Sequence, residues 1–138
     1  MTKRTYKLLV IDDDTGMIRL LEKRLKSQGY SVVGALSGED GVQKAKQSPP
    51  DLVLLDIMMP RMSGAEVARK FQSDDDLKAI PIVFITVTIS KKDDKVPKQV
   101  EIDGVLYEAF AKPLYFPKLI SVINKLIRKS TRGDEAAN

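Results

Sequence analysis

Asp51-Leu-Val-Leu-Leu-Asp56-Ile-Met-Met-Pro60-Arg-Met-Ser-Gly64 carries the clearest structural signal in the chain. Four consecutive apolar residues between two acids describe a strand covered on both faces, as in a buried parallel sheet. The strand stops at Asp56. Pro60 to Gly64 carries turn chemistry, and Ser63 is placed to cap a helix through Phe71.

The same alternation repeats on both sides of this stretch. Upstream, Lys7 to Ile11 is an apolar strand that ends in Asp12-Asp13-Asp14. Thr15 to Gln28 then sets Ile18, Leu21 and Leu25 on one helical face, widened by Leu20, with Asp14 or Thr15 as its cap and Gly29 as its stop. Tyr30 to Leu36 is strand-like. Ser37 caps the next helix, with Asp40 three residues on and Val42 and Ala45 on its apolar side, until Pro49-Pro50 breaks it. Downstream, Ile80 to Thr86 is another buried strand. Thr88 to Asp103 is polar and holds Pro97, which predicts a short or irregular helix. Gly104 to Ala111 reads as the last strand, interrupted by Glu108. Pro117 to Lys129 predicts a helix with Leu119, Val122, Ile123, Leu126 and Ile127 inward.

Strand and helix in alternation imply an α/β fold with parallel strands and right-handed crossovers. Ligands of such sheets bind beyond the carboxyl ends of the strands. The residues there are Asp12-Asp13-Asp14, Asp56, Thr86 and Lys112-Pro113.

Composition narrows the chemistry. The 138 residues suit one domain, about 5 to 130, with 131–138 as a disordered tail. With no Cys, disulfides and thiolate metal sites are excluded. With no His, histidine acid–base catalysis and histidine-ligated zinc are excluded too. The basic start runs into an apolar stretch that ends at Ile11, too short for a signal peptide. No apolar stretch is long enough to span a membrane. A cytoplasmic protein with no membrane partner is expected. The net charge of +4 is mild. The basic end of the last helix (Lys125, Arg128, Lys129) reads as a solvated face, and no motif for direct nucleic-acid reading is visible. Met58, Met59 and Met62 read as loop packing.

Asp12, Asp13 and Asp56 at one sheet edge call for a cation. Two carboxylates ~4 Å apart repel by about 4 kcal/mol at an effective dielectric near 20. The fold must then supply a positive charge or raise a pKa. Mg²⁺ suits one or two carboxylates, waters and a phosphate oxygen. Lys112 can reach the same pocket, to pair with Asp56 or with a phosphoryl oxygen, and Thr86 offers a hydroxyl donor. A nucleophilic carboxylate, a metal, a cation and a hydroxyl suit attack on phosphorus.

Val10-Ile11-Asp12-Asp13-Asp14, the stretch from Asp51 to Gly64, Pro81-Ile-Val-Phe-Ile-Thr86 and Lys112-Pro113, in that order, resemble the receiver domain of two-component response regulators. The resemblance implies a doubly wound, flavodoxin-like sheet of five parallel strands, order 2-1-3-4-5, with helices on both faces. It also implies that Asp56 is the phosphoacceptor, served by a histidine kinase or histidine phosphotransfer protein, and that the chain is not an enzyme. Asp12, Asp13, Asp56 and the backbone carbonyl of Met58 are the implied Mg²⁺ ligands. Thr86 is similar to the switch hydroxyl, Lys112 to the phosphate-sensing lysine, and Pro113 to a proline that follows a cis bond. A downstream protein target is implied but not named, and the chain is expected to be a monomer or weak homodimer.

The sequence departs from the family pattern near the switch. Val87 follows Thr86 where a small residue is usual. Ala109 stands three residues before Lys112, where an aromatic is usual, with Tyr107 and Phe110 close by. These departures, with the odd stretch 88–103, favour a second reading, a binding module that signals without phosphate. A third reading takes Asp12-Asp13-Asp14-Thr15-Gly16 as the nucleophile motif of haloacid-dehalogenase-type phosphatases, with Asp12 as nucleophile and Asp14 as acid–base. It leaves the stretch from Asp56 to Gly64 unexplained.

Overall fold

The computed structural model describes residues 4–87 and 98–137 of the chain, with Lys98 and residues 131–137 described as backbone only. The elements run β1 (Lys7–Ile11), α1 (Thr15–Lys26), β2 (Ser31–Ala35), α2 (Gly38–Gln47), β3 (Leu52–Asp56), α3 (Gly64–Gln72), β4 (Ile82–Thr86), β5 (Lys98–Ile102), β6 (Val105–Ala111) and α4 (Phe116–Ala137).

The helices begin where side chains satisfy the free N–H groups of the first turn. Asp14 accepts from Gly16 and Met17 at the start of α1, Ser37 from Asp40 at α2, and Ser63 from Glu66 at α3. After α1 the chain reverses at Gly29, whose φ of 93° a residue with a Cβ would adopt only with strain.

The sheet order is β2-β1-β3-β4-β6-β5. The first five of these pair in parallel. Their side chains alternate between two cores. Leu9, Ile11, Val53, Leu55 and Phe84 pack beneath α2 and α3, with Val67, Ala68 and Phe71. Leu8, Val10, Leu54, Ile85 and Phe110 pack beneath α1 and α4, with Leu21, Leu25, Leu119 and Ile123. Two-sided burial explains the unbroken apolar strands. The layers are close. A Cβ on Gly41 would stand 2.3 Å from Ile11 Cδ1, so glycine there lets α2 settle on β1.

Leu20, expected to widen the buried face of α1, is exposed, and the structure differs from the sequence reading in two larger respects. The sheet has six strands, not five. Residues 98–102, expected within a short or irregular helix, form β5, which runs antiparallel to β6; residues 88–97 of that stretch lie outside the described residues. Lys98-Gln-Val-Glu-Ile102 alternates, placing Ile102 in the α3-side core with Val100 against it. Asp103 and Gly104 have φ of 50° and 84°, the backbone of a two-residue hairpin turn that Asp-Gly favours. The second difference is α4, which stays helical to Ala137 where an unstructured tail was expected from 131. Asp134, Glu135, Ala136 and Ala137 contain no helix breaker, and Gly133 costs about 1 kcal/mol, which the long preceding helix tolerates. Among the described residues no helix is long and apolar enough to cross a membrane.

Candidate functional site

The register brings the strand ends to one rim. Ile11 lies opposite Leu55, so Asp12 and Asp56 leave neighbouring strands at the same height. Asp56 lies opposite Ile85, and Thr86 opposite Ala111, so Lys112 follows directly beside them. The Lys112 N–H donates to the Thr86 carbonyl at 2.9 Å, extending the ladder by one residue. The bond from Lys112 to Pro113 is cis.

Within this rim the carboxylate oxygens of Asp12, Asp13 and Asp56 come within 4.8 Å of one another. Asp12 is fully buried, Asp56 nearly so, and Asp13 exposed. The Asp14 N–H donates to Asp12 Oδ1 at 2.9 Å, and the Met58 N–H donates to Asp56 Oδ1 at 3.2 Å. The Lys112 ammonium donates to Asp12 Oδ2 at 2.7 Å and to Asp56 Oδ2 at 3.4 Å. Thr86 is fully buried at the end of β4.

These surroundings set the protonation states. Burial, then the charge of Asp12, pushes the Asp56 carboxyl up to about 6, against the opposing pull of Lys112 and the Met58 N–H. Burial acts against the charged form of Lys112, but its bonds and charge contacts with Asp12 and Asp56 outweigh that and raise its pKa. The ammonium therefore stays charged at neutral pH. Among the described residues, one cation meets these three carboxylates, which leaves the cluster net negative. A cluster of hard oxygen donors, one facing water, fits a small divalent cation.

Each residue singled out in the sequence falls on this rim or beside it. Asp12, Asp13, Asp56 and Lys112 form one cluster, with Thr86 on the adjoining strand. Met58 reaches the cluster through its N–H, while its side chain is exposed. Lys112 pairs with Asp56, as expected, and makes a second, shorter bond to Asp12 that was not. Val87 is 68% exposed at the end of β4.

Two features escaped the sequence reading. Gly64, read only as the end of a loop, lies so close to the site that a Cβ there would stand 2.5 Å from the Asp56 carbonyl oxygen and 2.8 Å from Ile57 Cα. Its N–H donates to the Ile57 carbonyl at 2.9 Å, which folds the loop back under Asp56. The second is the packing of Tyr107, noted in the sequence only as an aromatic near Ala109. Ala109 is buried opposite Phe84, and Tyr107 instead meets Phe84 edge-on, ring centroids 5.4 Å apart, with its hydroxyl bonded to the Gln72 amide. The aromatic is thus displaced two residues down β6, away from Thr86.

Comparison with known proteins agrees with this geometry. The chain is 28% identical over 130 residues to the polar-differentiation response regulator DivK of Brucella ovis, covering 94% of this chain and 98% of that one. It is 30% identical over 128 residues to the probable transcriptional regulator ycf27 of Porphyridium aerugineum, covering 93% of this chain and 52% of that protein, so the chain spans about half the length of that relative. Its fold matches that of the chemotaxis protein CheY4 of Vibrio cholerae with a TM-score of 0.74 at 23% identity, over 89% of this chain and 99% of that one. The family model described as response regulator receiver domain matches residues 8–124. With the parallel sheet and the acidic rim already described, this match assigns the chain to the response regulator receiver domain family.

Proposed function

We propose that the protein is a phosphoacceptor of two-component signalling, in which Asp56 takes a phosphoryl group from a phosphohistidine of a histidine kinase or a histidine phosphotransfer protein. The observation that carries this reading is the convergence of three carboxylates and the Lys112 ammonium on one strand-end rim. An Asp56 carboxylate oxygen would attack phosphorus in line. The O–P bond forms as the N–P bond breaks, and the donor imidazole keeps the electron pair and takes up a proton. With a pKa of about 6, most Asp56 is ionised and nucleophilic at neutral pH.

Asp12, Asp13, Asp56 and the Met58 carbonyl are the residues that would hold Mg²⁺. Bound there, Mg²⁺ supplies charge neutralisation for the transferring phosphoryl oxygens. Lys112 would exchange part of its contact with Asp56 for a phosphoryl oxygen, and the Thr86 hydroxyl would donate to another. In this reading the chain accepts and holds the group rather than turning over a substrate, works in the cytoplasm, and passes the change to a downstream protein.

Incubation with Mg²⁺ and a small acyl phosphate tests the reading. One phosphoryl group should be added, trapped by borohydride at Asp56, and lost in Asp56→Asn. Labelling elsewhere, or none, refutes it.

The buried Ala109 favours a second reading, in which the surface signals without phosphate. There, beryllofluoride with Mg²⁺ would leave the amide spectrum away from the rim unchanged.

A further inference from the structure

At the end of the sheet away from the acidic rim, β4 and β6 part company. Their ladder begins at Val83 and Glu108, whereas β6 itself begins at Val105. The chain leading into β4 and the first half of β6 bound an open cavity of about 600 Å³. Phe71, Ile80, Pro81, Ile82 and Leu126 supply apolar lining. Val105 and Leu106, also in the lining, are 43% and 60% exposed, so the apolar surface continues out of the cavity.

Two carboxylates flank this surface. Glu108 lines the cavity and is half-buried, and its carboxylate makes no hydrogen bond or ion pair among the described residues. Glu101 lies directly across from Leu106 on β5 and is exposed. Lys78, the cation in the lining, is engaged by Asp75 at 3.1 Å. A carboxylate without a cation thus stands beside an exposed leucine and a continuous apolar surface. A group that brings a positive charge and an apolar side chain together would complement both.

We propose that this cavity docks a segment of a partner protein in which an apolar side chain lies next to an arginine or lysine. The apolar side chain would fill the space between Ile80 and Leu126, and the cation would meet Glu108 and Glu101. A protein segment fits better than a small ligand because the apolar surface spreads outward along Val105 and Leu106 rather than closing over the cavity. The site lies at the opposite end of β4 and β6 from Asp56 and does not depend on the phosphoacceptor reading.

Short capped peptides with a central leucine flanked by arginines are the probe, titrated into the isotope-labelled full chain. The same peptides with glutamate for arginine, and hexylammonium ion, serve as controls. Amide shifts should centre on Gln72, Ile80, Leu106 and Glu108. Glu108→Gln should weaken binding about fivefold and Leu106→Ser about tenfold. Asp56→Asn should bind as the native chain does, and dispersed amide spectra that overlay the native one away from the cavity would show that the two cavity variants are folded. Four results would overturn the proposal: no shift at millimolar arginine peptide, equal binding of the glutamate peptide, equal binding of hexylammonium, or shifts centred on the acidic rim.

Discussion

Lys112 reaches across 100 residues of sequence to place its ammonium 2.7 Å from Asp12 Oδ2, nearer than its 3.4 Å approach to Asp56. The lysine thus offsets a fully buried acid and remains within reach of the proposed phosphoacceptor. Both roles follow from its place one residue past the β6 ladder.

Removing that ammonium should leave Asp12 buried and uncompensated. Lys112→Met should cost about 2–4 kcal/mol in metal-free buffer, measured by urea unfolding. Mg²⁺ should restore part of the loss and should bind the variant more tightly than the native chain, because no lysine then competes for the acids. Weaker Mg²⁺ binding in the variant would count against the electrostatic account.

The raised pKa of Asp56 gives a signed pH effect. The group binds its proton more tightly folded than unfolded, so its favourable contribution is complete below about pH 4. It is lost as pH rises through about 6, a change of up to about 3 kcal/mol. Other carboxylates titrate in the opposite sense, so the readout is the difference between the native chain and Asp56→Asn. In metal-free buffer the native chain should fall behind the variant between pH 4.5 and 7.5. A difference that is flat across this range would contradict the assigned pKa.

Gly64→Ala should disturb the site without touching a charged group. The new Cβ would meet the Asp56 carbonyl at 2.5 Å, and backbone on both sides must move. A cost of about 1–3 kcal/mol is expected, together with slower phosphoryl uptake at Asp56. Full-rate uptake in a destabilised variant would separate the loop's packing role from its effect on the site.

Tyr107→Phe removes the hydroxyl bonded to Gln72 but keeps the edge-on contact with Phe84. It should cost about 1 kcal/mol and leave phosphoryl uptake unchanged. If uptake changed as well, the displaced aromatic would be coupled to the rim after all.

The central strands β1, β3 and β4 could be read from the sequence because they are buried on both faces, which forces an unbroken apolar run ending at a polar residue. That rule exposed Asp12, Asp56 and Thr86, and Lys112 follows the shorter buried run Ala109-Phe110-Ala111. It failed at β5, an edge strand with one face in solvent. Lys98-Gln-Val-Glu-Ile102 carries only two apolar residues, and its signal lay in the Asp103-Gly104 turn, which the reading passed over in favour of Pro97 and the polarity upstream. The shorter bond of Lys112 was also out of reach. Two acids on adjacent strands are equivalent in sequence, and only the rim's three-dimensional geometry ranks them. Gly64 was recognised as a turn residue, but its closeness to the Asp56 backbone depends on how the loop folds back.

The pairing of β6 on both sides has a kinetic corollary. Among the described residues, β4 holds it from Glu108 to Ala111 and β5 from Val105 to Ala109, so Glu108 and Ala109 are paired on both sides and the end that delivers Lys112 is held by β4. The amides of Glu108 and Ala109 should take up deuterium most slowly along this strand. Rotation of the lysine side chain is fast on that timescale, so its head can change partners without any opening of the sheet.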